Sequence, residues 1–211
     1  ATEKARALLA YLAAEAQFAH SREALADLLW PDQPEARARQ SLRQALSSLR
    51  QALQDDDGHP QPLLLVGREV IQFNAASDHW LDAAEFRRLA GERRTHRHRT
   101  PEGCLPCLRR AERMARLYRG AFLDHFAVRD SAPFEEWMSL EREWLQREMV
   151  QALDDLTTFH ARRGEPGIAR DYAYRQVALD PWREESHARL MRLLAADGQR
   201  SAALVQYETC R

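Results

Sequence analysis

The spacing of apolar residues predicts that the first 73 residues form three helices followed by a hairpin. Helical patterns begin near Thr2, cover Ser21–Trp30 and cover Ala36–Gln54, where leucines recur every three or four residues. Two runs of β-type residues, Leu63–Val66 and Val70–Phe73, are separated by three residues that include a glycine, which is typical of a hairpin. This order of elements predicts a winged helix-turn-helix, with the third helix placed to enter the DNA major groove.

The third helix carries arginine and amide side chains on the face opposite its leucines. These groups can donate hydrogen bonds to base edges and phosphates. Arg68 is expected at the tip of the hairpin, where it could approach the minor groove or a phosphate. The candidate DNA-binding residues are therefore Arg37, Gln40, Arg43, Gln44, Ser47, Arg50 and Arg68. An ordinary solvated helix face is the alternative, because arginine and glutamine also form helices well at surfaces.

The nearly neutral net charge of the chain implies that any nucleic-acid site is confined to a local surface. The chain has a formal net charge of −1, and residues 1–73 contain eight Lys/Arg and ten Asp/Glu. A protein coated in basic residues is therefore excluded. The acidic total favours a second function class, a protein-interaction scaffold or sensory domain with a degenerate winged helix, whereas the clustering of arginines on one face favours DNA binding.

Residues from Ser77 onward are predicted to be almost wholly helical and to end in a repeat. Helices are expected over Asp82–Arg93, over about 108–119 and over Glu135–Arg163, the last with one possible break. Glycines at 164 and 198, alanines at 169 and 203, and leucines at 156 and 190 lie 34 residues apart, the tetratricopeptide period. We therefore expect repeats over about 150–211. Leu156→Ala should cost about 2–5 kcal/mol because Leu156 should be buried, and Gln146→Ala should be nearly neutral.

One further cluster of residue types could bind a metal. Cys104 and Cys107 have the C-x-x-C spacing that allows two thiolates to bind one tetrahedral zinc ion, and His96 or His98 could complete the set. Such a zinc would be structural, since no acid/base partner lies nearby in the sequence. The alternatives are a basic, solvated connector with a buried Cys107 and, third, a redox pair.

Composition and motifs argue against a secreted protein, a membrane-spanning protein and an enzyme. There is no signal-peptide pattern and no apolar run long enough to span a membrane, and three cysteines are too few for a secreted disulfide scaffold. We therefore expect a cytoplasmic protein without a membrane partner. The sequence contains no G-x-S-x-G, H-E-x-x-H, G-x-G-x-x-G or G-x-x-x-x-G-K-[ST] motif, so we do not expect an enzyme. Ala1 is not an initiator methionine, and we expect a piece of a longer protein.

Several distinctive motifs follow one another in the first part of the chain: Lys4–Leu12, His20–Glu23, Leu28–Pro31, Leu42–Leu46 and Leu49-Arg50. These motifs resemble the Streptomyces antibiotic regulatory proteins and their relatives in other bacteria. In the second part, Trp80–Asp82 with Phe86, Leu117–Leu123, Phe134–Trp137, Glu141-Arg142, Leu179–Pro181 and Glu184–His187 resemble the bacterial transcriptional activator domain.

The resemblance implies a mainly α protein with a winged helix at 1–76 and an all-helical, tetratricopeptide-containing activator domain at 77–211. It also implies a transcription regulator that binds double-stranded DNA as a dimer and helps to recruit RNA polymerase.

Two features depart from the family. Winged helices of this type carry strands before their first helix, whereas this sequence begins at that helix, and the nucleotide-binding loop of many relatives does not occur here.

Overall fold

The computed structural model describes residues 2–55, 61–97 and 103–211, and these form two compact units. The first unit combines Ala1–Ala84 with Phe122–Glu141, and the second combines Glu85–Ala121 with Arg142–Arg211. The described residues are mainly helical. Residues 122–141 thus belong to the same compact unit as the N-terminal part of the chain.

The N-terminal helices begin where their capping residues predict. Helix α1 spans Glu3–Ala14, and the Thr2 hydroxyl accepts a hydrogen bond from the Ala5 amide at 3.2 Å. Helix α2 spans Arg22–Leu29 and is capped in the same way by Ser21. Helix α3 spans Glu35–Leu53, beginning after Pro34 and ending at Gln54, which has a left-handed backbone.

A three-stranded antiparallel sheet completes this part of the first unit. Strand β1 is His20–Ser21, β2 is Leu64–Val66 and β3 is Val70–Phe73, with the spatial order β1-β3-β2. Leu64 pairs with Phe73, and His20 pairs with Ile71. The predicted hairpin is confirmed, while β1 is an addition that two residues of sequence do not reveal.

Residues 122–141 join the core of the first unit through apolar side chains and through polar contacts. Phe134 and Met138 are buried in the same cluster as the leucines of α1, α2 and α3. The Ser131 hydroxyl donates to the Leu28 carbonyl at 2.8 Å, and Trp137 Nε1 donates to Glu15 Oε1 at 3.2 Å. Residues 122–141 therefore share one apolar core with α1, α2 and α3.

The second unit is built from helices. They are α4 at Asp82–Thr95, α5 at Leu105–Leu117, α6 at Ala132–Arg162, α7 at Pro166–Leu179, α8 at Glu184–Ala196 and α9 at Arg200–Cys210. The start of α4, up to Ala84, and the part of α6 up to Glu141 belong to the first unit. Helix α6 is continuous from Ala132 to Arg162, so the possible break in this stretch does not occur.

The 34-residue offset relates equivalent structural positions in the second unit. Gly164 and Gly198 have φ angles of 71° and 75° and end the turns that follow α6 and α8. Leu156 and Leu190 are fully buried, so the expected burial of Leu156 is confirmed. Gln176 is also buried. Tetratricopeptide repeats usually have a small residue at this position.

Two glutamines in the second unit have hydrogen bonds that the sequence did not reveal. Gln176 Nε2 donates to the Val150 carbonyl at 3.3 Å and to Asp154 Oδ1 at 3.1 Å. Gln146 Nε2 donates to the Leu179 carbonyl at 2.5 Å, at the end of α7. Gln146 thus has a hydrogen bond that the expectation of a nearly neutral Gln146→Ala did not include. Within the ranges that the structure describes, no helix has the length and apolar character needed to span a membrane.

Candidate nucleic-acid interface

The outer face of α3 is polar because its other face is fixed in the core. Leu42, Leu46 and Leu49 are buried, together with Ala38 and Ala45. This packing sets the rotation of the helix and turns the opposite side to solvent. Five of the predicted DNA-binding residues are exposed on that side: Arg37, Gln40, Arg43, Gln44 and Ser47.

Most of these exposed side chains line one shallow concavity. Its lining residues are Gln40, Arg43, Gln44, Ser47, Ser48 and Gln51. Arg43 is the only charged residue among them, and the others are amides and hydroxyls that can both donate and accept hydrogen bonds. The surface therefore combines one cation with groups suited to polar base edges.

A second cleft connects this face with the hairpin, as the winged-helix arrangement predicts. It is lined by Ser21, Arg22, Glu23, Arg39, Leu42, Arg43, Arg68 and Glu69. Arg43 lines both the shallow concavity and this cleft, and the exposed Arg68 of the hairpin turn lines the cleft. The outer face of α3 and the hairpin turn therefore lie on adjoining surfaces. Two acidic residues in the second cleft partly offset its arginines.

The hairpin turn is held in position by the start of α2. The Arg22 guanidinium donates to the Gly67 carbonyl from Nη2 at 3.0 Å and from Nε at 3.3 Å, and the Arg22 amide donates to the Glu69 carbonyl at 2.9 Å. Within the turn, the Gly67 amide donates to the Val70 carbonyl, and a Cβ at Gly67 would lie 3.1 Å from that oxygen. A side chain at position 67 would therefore require this oxygen to shift by a few tenths of an ångström. Arg22 is a positioning residue that the sequence did not indicate.

Arg50 has a different environment from the other candidates. It is half-buried, and its Nε donates to the Asp55 carbonyl at 2.8 Å, where α3 ends. A side chain with this contact is less available to a phosphate than Arg43. The role of Arg50 in DNA binding therefore stays a prediction from the sequence.

The acidic residues of the N-terminal part are partly used within the fold. Asp55 is buried, and its carboxylate accepts hydrogen bonds from the Leu63 amide at 2.6 Å and the Leu64 amide at 3.0 Å. Glu35 pairs with Arg39 at 2.6 Å across one helical turn. The total charge of residues 1–73 thus does not represent the charge of the α3 surface.

The candidate metal ligands of the second unit converge. His96, Cys104 and Cys107 each offer one ligand atom, and these atoms lie within 4.8 Å of one another. His98 lies outside the described residues. Arg93, which the alternative interpretation placed in a solvated connector, has a largely buried side chain that pairs with Asp155 at 2.5 Å.

Comparison with protein families gives two matches that follow one another along the chain. A model described as "Transcriptional regulatory protein, C terminal" matches residues 1–68. A model described as "Bacterial transcriptional activator domain" matches residues 81–211, more than half of the chain. A search of curated proteins found no match. The first match contains the α3 face and Arg68, and the second contains the His96, Cys104 and Cys107 cluster.

Proposed function

Since the chain belongs to the family of bacterial transcriptional activators and combines a regulatory DNA-binding domain with an activator domain, we propose that α3 reads the major groove. The chain is a DNA-binding transcriptional activator, and the scaffold alternative is not favoured. This family's function is regulatory rather than catalytic. A protein that binds the bacterial chromosome acts in the cytoplasm, which we propose as its location.

One observation carries the assignment to α3. Arg37, Gln40, Arg43, Gln44 and Ser47 are exposed together on the side of α3 that faces away from its buried leucines. The major groove admits an α-helix, and arginine and glutamine can each make two hydrogen bonds to a single base, to guanine and adenine respectively. A helix with this face supplies both the shape and the donors that direct readout needs.

Within this proposal, Arg68 contacts the DNA backbone or the minor groove beside the helix. It is exposed at the turn that Arg22 holds, and it borders the same cleft as Arg43. A phosphate contact would strengthen binding to all sequences alike, whereas Arg43 and Gln44 would distinguish between them. The two kinds of residue therefore give different experimental signatures.

The test compares variants of the intact protein on DNA that the wild-type protein selects from fragmented genomic DNA. Arg43→Ala and Gln44→Ala should each weaken specific binding by about 1–3 kcal/mol, which is about 5- to 150-fold in Kd. Arg68→Ala should weaken binding to specific and nonspecific DNA equally and lower the slope of log K against log salt by about 1.

Arg129→Ala is the matched control. Arg129 is an exposed arginine of the same unit that lies outside α3 and outside the turn, so its replacement removes one positive charge without touching the proposed interface. Binding should stay at the wild-type level. If Arg43→Ala and Gln44→Ala also bind like wild type while their melting temperatures are native, α3 does not read the bases.

We also propose that the helical unit contacts a protein partner, either a second copy of the chain or RNA polymerase. The outer side of α9 supports this, because Leu204, Val205 and Tyr207 are exposed and none of the residues of α9 is buried. Light scattering of the intact protein tests for a dimer. Co-purification with RNA polymerase, compared between the wild-type protein and Leu204→Arg, tests the other partner.

A further inference from the structure

Two thiols and one imidazole meet at the junction between α4 and α5. His96 Nδ1 lies 3.1 Å from Cys107 Sγ and 3.4 Å from Cys104 Sγ. The three residues come from the end of one helix and the start of the next, separated by residues outside the described part of the chain. Cys104 and His96 are half-buried, and Cys107 is buried.

These distances match the edges of a zinc coordination tetrahedron. With Zn–S bonds of about 2.3 Å and Zn–N bonds of about 2.0 Å, tetrahedral angles place nitrogen and sulfur about 3.5 Å apart and two sulfurs about 3.8 Å apart. The two nitrogen–sulfur distances lie within 0.4 Å of that value. Small side-chain rotations would therefore bring the three atoms onto one ion.

Two ion pairs join α4 and α5 near these ligands. Glu92 pairs with Arg110 Nε at 2.7 Å, and Glu85 pairs with Arg113 Nη2 at 2.7 Å, which is the order that antiparallel helices give. Following this order to the end of α4 brings His96 to the first turn of α5, which contains Cys107. The ion pairs thus agree with the short distance between His96 and Cys107.

The donor set favours a cation between the thiols. The nearby arginines Arg110 and Arg93 already have carboxylate partners, Glu92 and Asp155 respectively. A zinc ion would supply the positive charge that two neighbouring thiolates need, and thiolate with imidazole is a ligand set that zinc prefers.

We propose that His96, Cys104 and Cys107 supply three of the four ligands of one zinc ion, which fastens the end of α4 to the start of α5. The role is structural, because a metal that bridges two elements stabilises their folded arrangement. Each thiol loses its proton to solvent when its sulfur binds the ion, and neither sulfur changes oxidation state. This site lies in the activator domain and does not depend on the proposed interface of α3.

The first test measures zinc in intact protein that has been purified without chelator. We expect about one zinc per chain in the wild-type protein and loss of the metal from Cys104→Ser, Cys107→Ser and His96→Gln. Cys210→Ser is the matched control, since Cys210 lies in α9 and is not part of the cluster. That variant should retain the wild-type zinc content.

The second test uses folded wild-type protein and therefore does not depend on the stability of the variants. Apo-protein titrated with Co²⁺ should develop the visible bands of tetrahedral cobalt together with sulfur-to-cobalt charge transfer, and added Zn²⁺ should remove both. Wild-type protein that binds neither Zn²⁺ nor Co²⁺ would overturn the proposal. Equal metal loss from Cys210→Ser would also overturn it, as would a disulfide between Cys104 and Cys107 in the freshly purified protein.

Discussion

Leu156→Ala tests the packing of the helical unit and the register of its repeat. Leu156 is fully buried on α6, and its neighbours Ala152 and Leu153 are fully buried as well. Transfer of a leucine side chain back to water costs about 1.5–3 kcal/mol. The cavity that remains adds to this cost, because densely packed neighbours relax only in part, and the sum is about 2–5 kcal/mol.

Urea unfolding of the intact protein, followed by circular dichroism at the helical band, measures this cost. Leu190→Ala, at the position 34 residues later that is also fully buried, should fall in the same range of about 2–5 kcal/mol. Leu140→Ala is the matched control on the same helix: Leu140 is 60% exposed, so its replacement should change the free energy of unfolding by less than about 0.5 kcal/mol. A cost for Leu156→Ala as small as that for Leu140→Ala would refute both the assigned rotation of α6 and the repeat register.

Two further substitutions test hydrogen bonds that the structure shows. Asp55→Ala should lower the free energy of unfolding by about 1–3 kcal/mol, because the amides of Leu63 and Leu64 lose their acceptor; urea unfolding that matches wild type would contradict this. Gln146→Ala should cost about 0.5–1.5 kcal/mol rather than nothing, because the Leu179 carbonyl loses its donor. Gln146→Glu, which keeps the size but cannot donate, should cost at least as much, and wild-type stability in both variants would show that this bond does not contribute.

Local patterns in the sequence were sufficient to predict most of the regular elements. The leucine spacing of α3 and the capping side chains of Thr2 and Ser21 act within a few residues, so a single sequence reveals them. Strand β1 was missed because two residues carry no periodicity, and its pairing with β3 joins positions about 50 residues apart. The local pattern also did not show that α6 is one uninterrupted helix. Whether a long helix continues depends on the residues that pack beside it.

The candidate site was predictable where it depended on helical rotation and unpredictable where it depended on distant contacts. Periodicity alone placed Arg43 and Gln44 opposite the buried leucines. It could not show that Arg22 binds the carbonyl of Gly67, which lies 45 residues further along the chain. It also could not show that Arg50 turns towards the Asp55 carbonyl, because that contact requires the left-handed backbone of Gln54.

The packing of residues 122–141 means that the winged helix is not an independent structural unit in this chain. Phe134 and Met138, which the activator-domain match contains, are essentially inaccessible in the core of the first unit. Trp137 adds an edge-on contact with Tyr11 at 4.9 Å between ring centroids. Full burial of a large apolar side chain stabilises a unit by about 1.5–3 kcal/mol. Phe134 and Met138 together therefore contribute about 3–6 kcal/mol, a large part of the stability of a typical domain, which is about 5–15 kcal/mol. The stability of the surface that carries Arg43 therefore depends on side chains of the activator domain, and replacing the buried Phe134 or Met138 by alanine is expected to affect DNA binding without any contact to DNA.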